Sequence, residues 1–255
     1  MDMGRFLLTD QVAIVTGGKR GLGREIALTL ASAGAHVAVC TRVAEDGALE
    51  RVAEDIEKLG RKALAVQADT SQKADIDAMV DRVMALFGRI DILVNNAAVL
   101  AMGTMLEMSE ADWDRHFSVN VKGYFLFSQA VARRMVEKRK GCIVNIASDL
   151  AFKAVPGMGA YCTSKAGIVM LTRVLAQELG QYGIRVNALA PGLFKTEFSR
   201  PNWSNPAFLK HLEATTPLGR IGQTEDMTGA VLFLASDAAA YISGATILVN
   251  GGGLA

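Results

Sequence analysis

The residues with the plainest chemistry are Ser148, Tyr161 and Lys165, a hydroxyl, a phenol and an ammonium group, the last two spaced four apart. Tyr161 and Lys165 stand in Ala160-Tyr161-Cys162-Thr163-Ser164-Lys165-Ala166-Gly167, which runs into an apolar-periodic segment through Leu179, so the spacing predicts the first turns of a helix with both side chains on one face. A cation beside a phenol favours the phenolate, typically by about 1–3 pKa units. That arrangement makes Tyr161 a candidate general acid or base near neutral pH. Ser148 follows a β-rich run, Cys142 to Ala147, and its hydroxyl can hold the same substrate oxygen by a hydrogen bond. A Tyr-x-x-x-Lys spacing also arises by chance on amphipathic helices, with the lysine lying along the ring, so its weight depends on the rest of the chain.

The elements that must position these groups alternate regularly. Val12 to Val15 reads as a buried strand, Thr16-Gly17-Gly18-Lys19-Arg20-Gly21-Leu22-Gly23 as a glycine-rich turn, and Ile26 to Ala33 as a helix. Such a turn lets backbone N–H groups and the positive end of a helix dipole face a pyrophosphate. Further strands are predicted at His36 to Thr41, Lys62 to Gln67 (ending at Asp69-Thr70), Ile90 to Val94 and Ile184 to Leu189, with a last one at Ala245 to Val249. Helices are predicted at Glu45 to Leu59, Ala74 to Phe87, from a capping box at Ser109 through Lys138 with Asn120 inside it, and from a Thr224 cap through Leu234. Crossovers of this length imply an α/β fold: a doubly wound parallel sheet of about seven strands with helices on both faces and a ligand site at the carboxyl ends of the strands.

The 255 residues contain no Pro/Ser-rich linker or charge block, which favours a single domain over residues 1–255. Residues 193–222 are the least regular stretch and are expected to form a substrate-binding lid. Half of the chain is hydrophobic (51%), enough for a large core, and a net charge of +1 gives no basic excess for nucleic acid or an anionic membrane. Cys40, Cys142 and Cys162 lack metal-ligand spacing and read as small packing residues in a reducing compartment. Residues 1–11 carry too short an apolar run for a secretory signal, and no run of 18 apolar residues occurs. A soluble, cytoplasmic protein is expected.

Taken in order, the Thr16 to Gly23 turn, Asp69, Asn95-Asn96-Ala97-Ala98, Asn120, Ser148, Tyr161 with Lys165, Pro191-Gly192 and Val249-Asn250-Gly251-Gly252 resemble the motifs of the short-chain dehydrogenase/reductase family over nearly the whole chain. Two departures are Ala98, where that family more often has Gly, and Asn250, where it more often has Asp. The resemblance implies hydride transfer between a nicotinamide and a carbonyl or hydroxyl carbon. Asn120, Ser148, Tyr161 and Lys165 are then the catalytic set, with Asn120 holding a relay water and Lys165 both binding the nicotinamide ribose and lowering the Tyr161 pKa. It also implies a cofactor site made of Gly17, Arg20, Gly21, Leu22, Gly23, Thr41, Arg42, Asp69, Thr70, Asn95, Ala97, Tyr161, Lys165, Pro191, Gly192 and Thr196. Asp69 is placed at the adenine, and Asn95 also stabilises the central strands.

An acid at the end of the second strand suits the ribose 2′-hydroxyl of NAD, and an arginine suits the 2′-phosphate of NADP. Here the strand ends Cys40-Thr41-Arg42, with neutral Thr41 where the acid would sit and Arg20 on the same side, so NADP(H) is the expected cofactor. The runs Ala190 to Glu197 and Thr216 to Arg220 are similar to gluconate 5-dehydrogenases, and Lys19 to Gly23 equally to 3-oxoacyl-carrier-protein reductases. The substrate is therefore open between a keto-sugar or polyol and a 3-oxoacyl thioester. Lys153 and Lys195 are candidates for an anionic substrate, set against ordinary solvated lysines. A cofactor-binding regulator without turnover is the alternative class, and the intact catalytic set weighs against it. Phe125, Phe127 and Met135 exceed what one buried face needs, and the resemblance implies a homotetramer.

Overall fold

Residues 2–254 are described by a computed structural model; Met1 and Ala255, the ends of the predicted span, lie outside the described residues. Seven parallel strands form one sheet in the order β3-β2-β1-β4-β5-β6-β7. They are β1 (Val12–Thr16), β2 (His36–Thr41), β3 (Ala63–Gln67), β4 (Ile92–Asn95), β5 (Gly141–Ile146), β6 (Ile184–Pro191) and β7 (Thr246–Val249). The order reverses between β1 and β4, the switch point outside whose carboxyl ends ligands of such sheets bind.

The pleat explains why the strands read as continuous apolar runs. Ala13 and Val15 point to a layer built on α1 (Gly21–Ser32) and α2 (Ala48–Lys58), and Val12 and Ile14 point to the layer of α3 (Lys73–Phe87). Both layers are dry, and every residue of β1 is buried. Cys40 and Cys142 fill strand positions in them, and burial pushes the Cys40 thiol up to about 12. No helix among the described residues is long and apolar enough to cross a membrane.

Three sequence expectations need correction. The helix predicted from Ser109 to Lys138 is α4 (Glu110–Phe117) and α5 (Gly123–Lys138) joined through a π turn at Ser118–Lys122. Ser109 does cap it, its side chain accepting from the Asp112 N–H. The cap before the later helix is Gln223, whose box partner is Asp226; a 3-10 turn, Thr224–Met227, precedes the α-helical Thr228–Ala235. Phe127 and Met135 are core residues of this chain, fully buried, and only Phe125 of that trio is exposed.

Three further helices complete the cover that matters for the site. α6 (Gly159–Leu179) lies along β6, and α7 (Arg200–Trp203) and α8 (Pro206–Thr215) break up the region predicted as irregular. The ends of that region are pinched together: Gly222 N–H donates to Leu193 O at 2.9 Å and Lys195 N–H to Gly222 O at 2.8 Å. A Cβ on Gly222 would come within 2.9 Å of the Phe194 ring, so the pinch requires glycine.

Candidate active site

One cavity of about 810 Å³ runs along the carboxyl ends of the strands, from Arg42 to Phe208. At its centre the turn after β1 is tied to the loop after β4. Thr16 Oγ1 accepts from the N–H groups of Asn96 (2.9 Å) and Ala97 (3.1 Å), and Asn96 Nδ2 donates to Thr16 O (2.9 Å) and Gly17 O (3.2 Å). Gly17 and Gly21 take φ of 65° and 55°. A Cβ on Gly23 would sit 2.1 Å from Gly17 O, so the first turn of α1 presses against the glycine turn only because no side chain intervenes. Arg20, at the helix N-cap, makes no side-chain bond to the helix, leaving backbone donors turned to the cavity. These residues fit the pyrophosphate of a dinucleotide.

Toward the β2 end the cavity meets Thr41, Arg42, Asp69 and Thr70. Asp69 is fixed by accepting from the Ser71 N–H (2.9 Å) and hydroxyl (2.7 Å). Lys19 is spent on Asp46 (2.7 Å) and Val43 O (3.0 Å). Arg20 and Arg42 are both exposed, and neither forms an ion pair among the described residues. Leu22, Ala97, Pro191, Gly192 and Thr196 line the middle. Asn250 packs over Gly192, its Oδ1 accepting from the Gly252 N–H (3.2 Å) while Nδ2 has no partner among the described residues.

Asn95 does not line this cavity. In a strand, neighbours face opposite sides, so while Asn96 reaches the turn, Asn95 points into the other layer. There its Nδ2 donates to Ser128 Oγ (3.1 Å) and Asn145 Oδ1 (2.9 Å), and Asn145 Nδ2 donates to Thr172 Oγ1 (2.9 Å). The expectation of a cofactor contact is corrected to a buried network joining β4, β5, α5 and α6.

Ser148, Tyr161 and Lys165 converge on one wall. Ser148 stands just beyond β5, and α6 carries the other two; Tyr161 is 9% exposed and Lys165 1%. Lys165 Nζ donates to Ile146 O at 2.7 Å and lies 5.6 Å from the centre of the Tyr161 ring and 5.3 Å from that of Tyr124. Tyr124, missed in the sequence because no spacing marks it, donates its hydroxyl to the same carbonyl at 3.1 Å.

The electrostatics differ from the expected lowering of the Tyr161 pKa by Lys165. Burial raises Tyr161 well above the usual phenol value, the Ser148 hydroxyl opposes that rise, and Asp149 adds to it. Burial also brings Lys165 down to about 7. Desolvation dominates because Lys165 is turned onto a carbonyl and both groups sit in a dry wall.

Asn120 is also displaced from its expected role. The π turn buries it, and its side chain is spent outside the cavity: Oδ1 accepts from Val99 N–H (2.9 Å), and Nδ2 donates to Val99 O (3.0 Å) and Ser164 Oγ (3.1 Å). Ser164 Oγ in turn donates to Tyr161 O at 2.8 Å. Asn120 therefore braces the turn of α6 that carries Tyr161.

The far wall is apolar, with Val155, Met158, Phe198, Phe208 and Leu212, and the Phe198 and Tyr161 ring centres are 6.3 Å apart. Trp203 Nε1 donates to Thr196 O at 2.8 Å, and Lys195 Nζ lies 5.4 Å from its ring centre. Lys195 does not line the cavity; Lys153 does, paired to Asp149 at 3.0 Å. His116 was not foreseen. It is buried, accepts from Ala101 N–H at Nε2 (3.1 Å) and reaches Asp112 O with Nδ1 (2.7 Å), holding the loop after β4.

A sequence profile described as enoyl-(acyl carrier protein) reductase matches residues 7–253. The chain is 39% identical over 243 residues to a 3-oxoacyl-acyl-carrier-protein reductase of Staphylococcus epidermidis, covering 95% of this chain and 98% of the relative. It is also 39% identical to D-threitol dehydrogenase of Mycolicibacterium smegmatis, covering 97% and 94% of the two. Among solved structures, a gluconate 5-dehydrogenase from Burkholderia cenocepacia in complex with NADP and tartrate superimposes with a TM-score of 0.94 at 36% identity, covering 99% of this chain and 98% of that one.

Proposed function

Since this chain belongs to the short-chain dehydrogenase/reductase family of oxidoreductases, we propose that it is an NADP(H)-dependent carbonyl reductase acting on a ketone, with Tyr161 as the proton donor. The observation that carries the reading is the convergence of Ser148, Tyr161 and Lys165 on a cavity whose other end holds the glycine turn and two unpaired arginines. When bound, the nicotinamide supplies a hydride from its carbon 4 to the substrate carbon.

The chain's own groups do the rest. The N-terminus of α1 and the turn from Gly17 to Gly23 receive the pyrophosphate. Arg20 and Arg42 receive the 2′-phosphate, with neutral Thr41 at the end of β2 where an acid would repel that dianion. Ser148 donates a hydrogen bond to the carbonyl oxygen and the Tyr161 phenol donates a second, so charge arriving on that oxygen is met as it develops. Burial keeps Tyr161 in its protonated form, so the phenol carries the hydrogen that it donates to the substrate oxygen. Lys165, 5.6 Å from the centre of the Tyr161 ring, is placed to bind the nicotinamide ribose.

Residues 193–222, pinched at their base, act as the lid over the substrate. The working protein is a cytoplasmic homotetramer with two-fold axes. Phe125 on α5 with Met170 and Val174 on α6 supports this, since they expose apolar surface at 41%, 56% and 43%. A monomeric mass by light scattering at micromolar concentration refutes the tetramer. The redox assignment is tested by following loss of absorbance of NADPH and of NADH with a panel of ketones, keto-sugars and 3-oxoacyl thioesters. Turnover with a higher kcat/KM for NADPH is expected, and a higher value for NADH overturns the cofactor choice.

A further inference from the structure

Directly after Ser148 the chain places a carboxylate that the reaction so far does not use. Asp149 opens the 3-10 turn Asp149–Ala151 against α6 and is 6% exposed. A carboxylate this buried is costly unless its oxygens are matched by donors. Oδ2 is matched, at 3.0 Å from Lys153 Nζ. Oδ1 has one donor among the described residues, the Ser148 hydroxyl, at a long 3.5 Å. Asp149 lines the same cavity as Ser148 and Tyr161, and its charge reaches the phenol.

Ser148 cannot serve Asp149 and the substrate together. Its oxygen already accepts from the Leu150 N–H at 3.1 Å, and it has a single hydrogen, which must turn to the carbonyl oxygen when a ketone binds. Oδ1 is then left without a donor among the described residues, on a residue that lines the cavity. Building on the carbonyl-reductase reading above, we infer that Asp149 selects substrates bearing a hydroxyl on the carbon next to the reacting carbonyl: 2-hydroxy ketones in reduction, vicinal diols in oxidation. Oxygens on adjacent carbons suit this pair, because the Ser148 hydroxyl that donates and the Asp149 oxygen that accepts belong to consecutive residues and lie 3.5 Å apart. A plain ketone or a 3-oxoacyl thioester presents a methylene there and leaves Oδ1 unmatched. A 2-oxo acid is worse, presenting an acceptor to an acceptor, and Lys153 is already engaged.

The test measures NADPH oxidation by the full-length protein with 1-hydroxy-2-butanone, 2-butanone and 2-oxobutanoate. The wild type is expected to favour the hydroxy ketone over 2-butanone by roughly 10- to 100-fold in kcat/KM, the range of a hydrogen bond to a charged group. In Asp149→Leu that ratio falls to about one, and in Asp149→Asn it shrinks by about tenfold. NADPH titration checks that each variant is folded; if the leucine variant is not, the nearly isosteric asparagine variant decides. A ratio near one in the wild type, a preference for 2-oxobutanoate, or a ratio indifferent to Asp149→Asn overturns the role of Asp149 while leaving the reductase standing. No turnover of any ketone with either cofactor overturns both.

Discussion

Two polar clusters sit on neighbouring stretches of the same strand and the loop after it, and they are built to opposite standards. Around Asn145, every partner is in place: Asn95, Ser128 and Thr172 exchange hydrogen bonds of 2.9–3.1 Å, and Thr172 passes its own hydrogen to Ile168 O at 2.8 Å. Around Ser148, groups are buried with their charge or hydrogen-bonding capacity unspent: a phenol pushed up, an amine brought down to about 7, and a carboxylate with one long contact. A closed network gives rigidity, and an open one leaves the missing partner to be supplied by a ligand. The difference predicts that the first cluster governs folding and the second governs turnover.

The largest effect expected from this division is Tyr161→Phe. It should lower kcat by about 10²–10⁴, the usual cost of losing a positioned acid, and shift the melting temperature by no more than about 2 °C. A Phe variant that keeps most of its activity, or one that unfolds, would remove the distinction. Asn95→Leu tests the other side. It strands Asn145 Oδ1 and Ser128 in a dry interior, a loss of about 2–3 kcal/mol, or roughly 5–10 °C in melting temperature, while the folded fraction keeps its kcat.

A pH-dependent effect follows for Lys165. Its folded-state value of about 7 lies below the ordinary 10.5, so between these pH values the unfolded chain binds the proton that the folded chain has released. Stability of the ligand-free protein therefore rises with pH across that window, and the penalty is fully present below about 7. Lys165→Met removes the penalty: thermal melts should show the variant ahead of the wild type at pH 6, with the gap closing toward pH 10. A gap that does not change with pH contradicts the burial argument. The smallest effect lies at the solvated end of the cavity, where Arg42→Ala should raise the KM for NADPH by about tenfold and that for NADH by less than twofold. Equal changes would show Arg42 to be a bystander.

The sheet, and the shared face that brings Tyr161 and Lys165 to one wall of the cavity, were legible in the sequence because both rest on local periodicity. Regular strand-helix alternation implied the parallel order, and a four-residue spacing was enough to put Tyr161 and Lys165 on one face. What escaped depended on which way a side chain turns in the assembled chain. Asn95 and Asn96 are adjacent and identical, yet the pleat sends one into the core network and the other to the glycine turn. The partners of the Asn120 side chain, Val99 and Ser164, lie far off in the chain, and no local pattern could name them. Asp149, His116 and Tyr124 bear no spacing signature at all. Lowering of the Tyr161 pKa was expected from charge proximity, but burial, a tertiary quantity, set its direction.

The indole of Trp203 gives the proposed lid an optical reporter. The chain has two tryptophans, and the other, Trp113, is stacked on Phe117 with ring centres 4.7 Å apart in α4. Trp203 is anchored to Thr196 and has an ammonium group over its ring, so any opening of residues 196–203 alters both the polarity and the charge its excited state experiences. In a Trp113→Phe background the emission comes from Trp203 alone. Stopped-flow fluorescence can then test whether the proposed lid closes, and time it separately from hydride transfer, without an introduced dye.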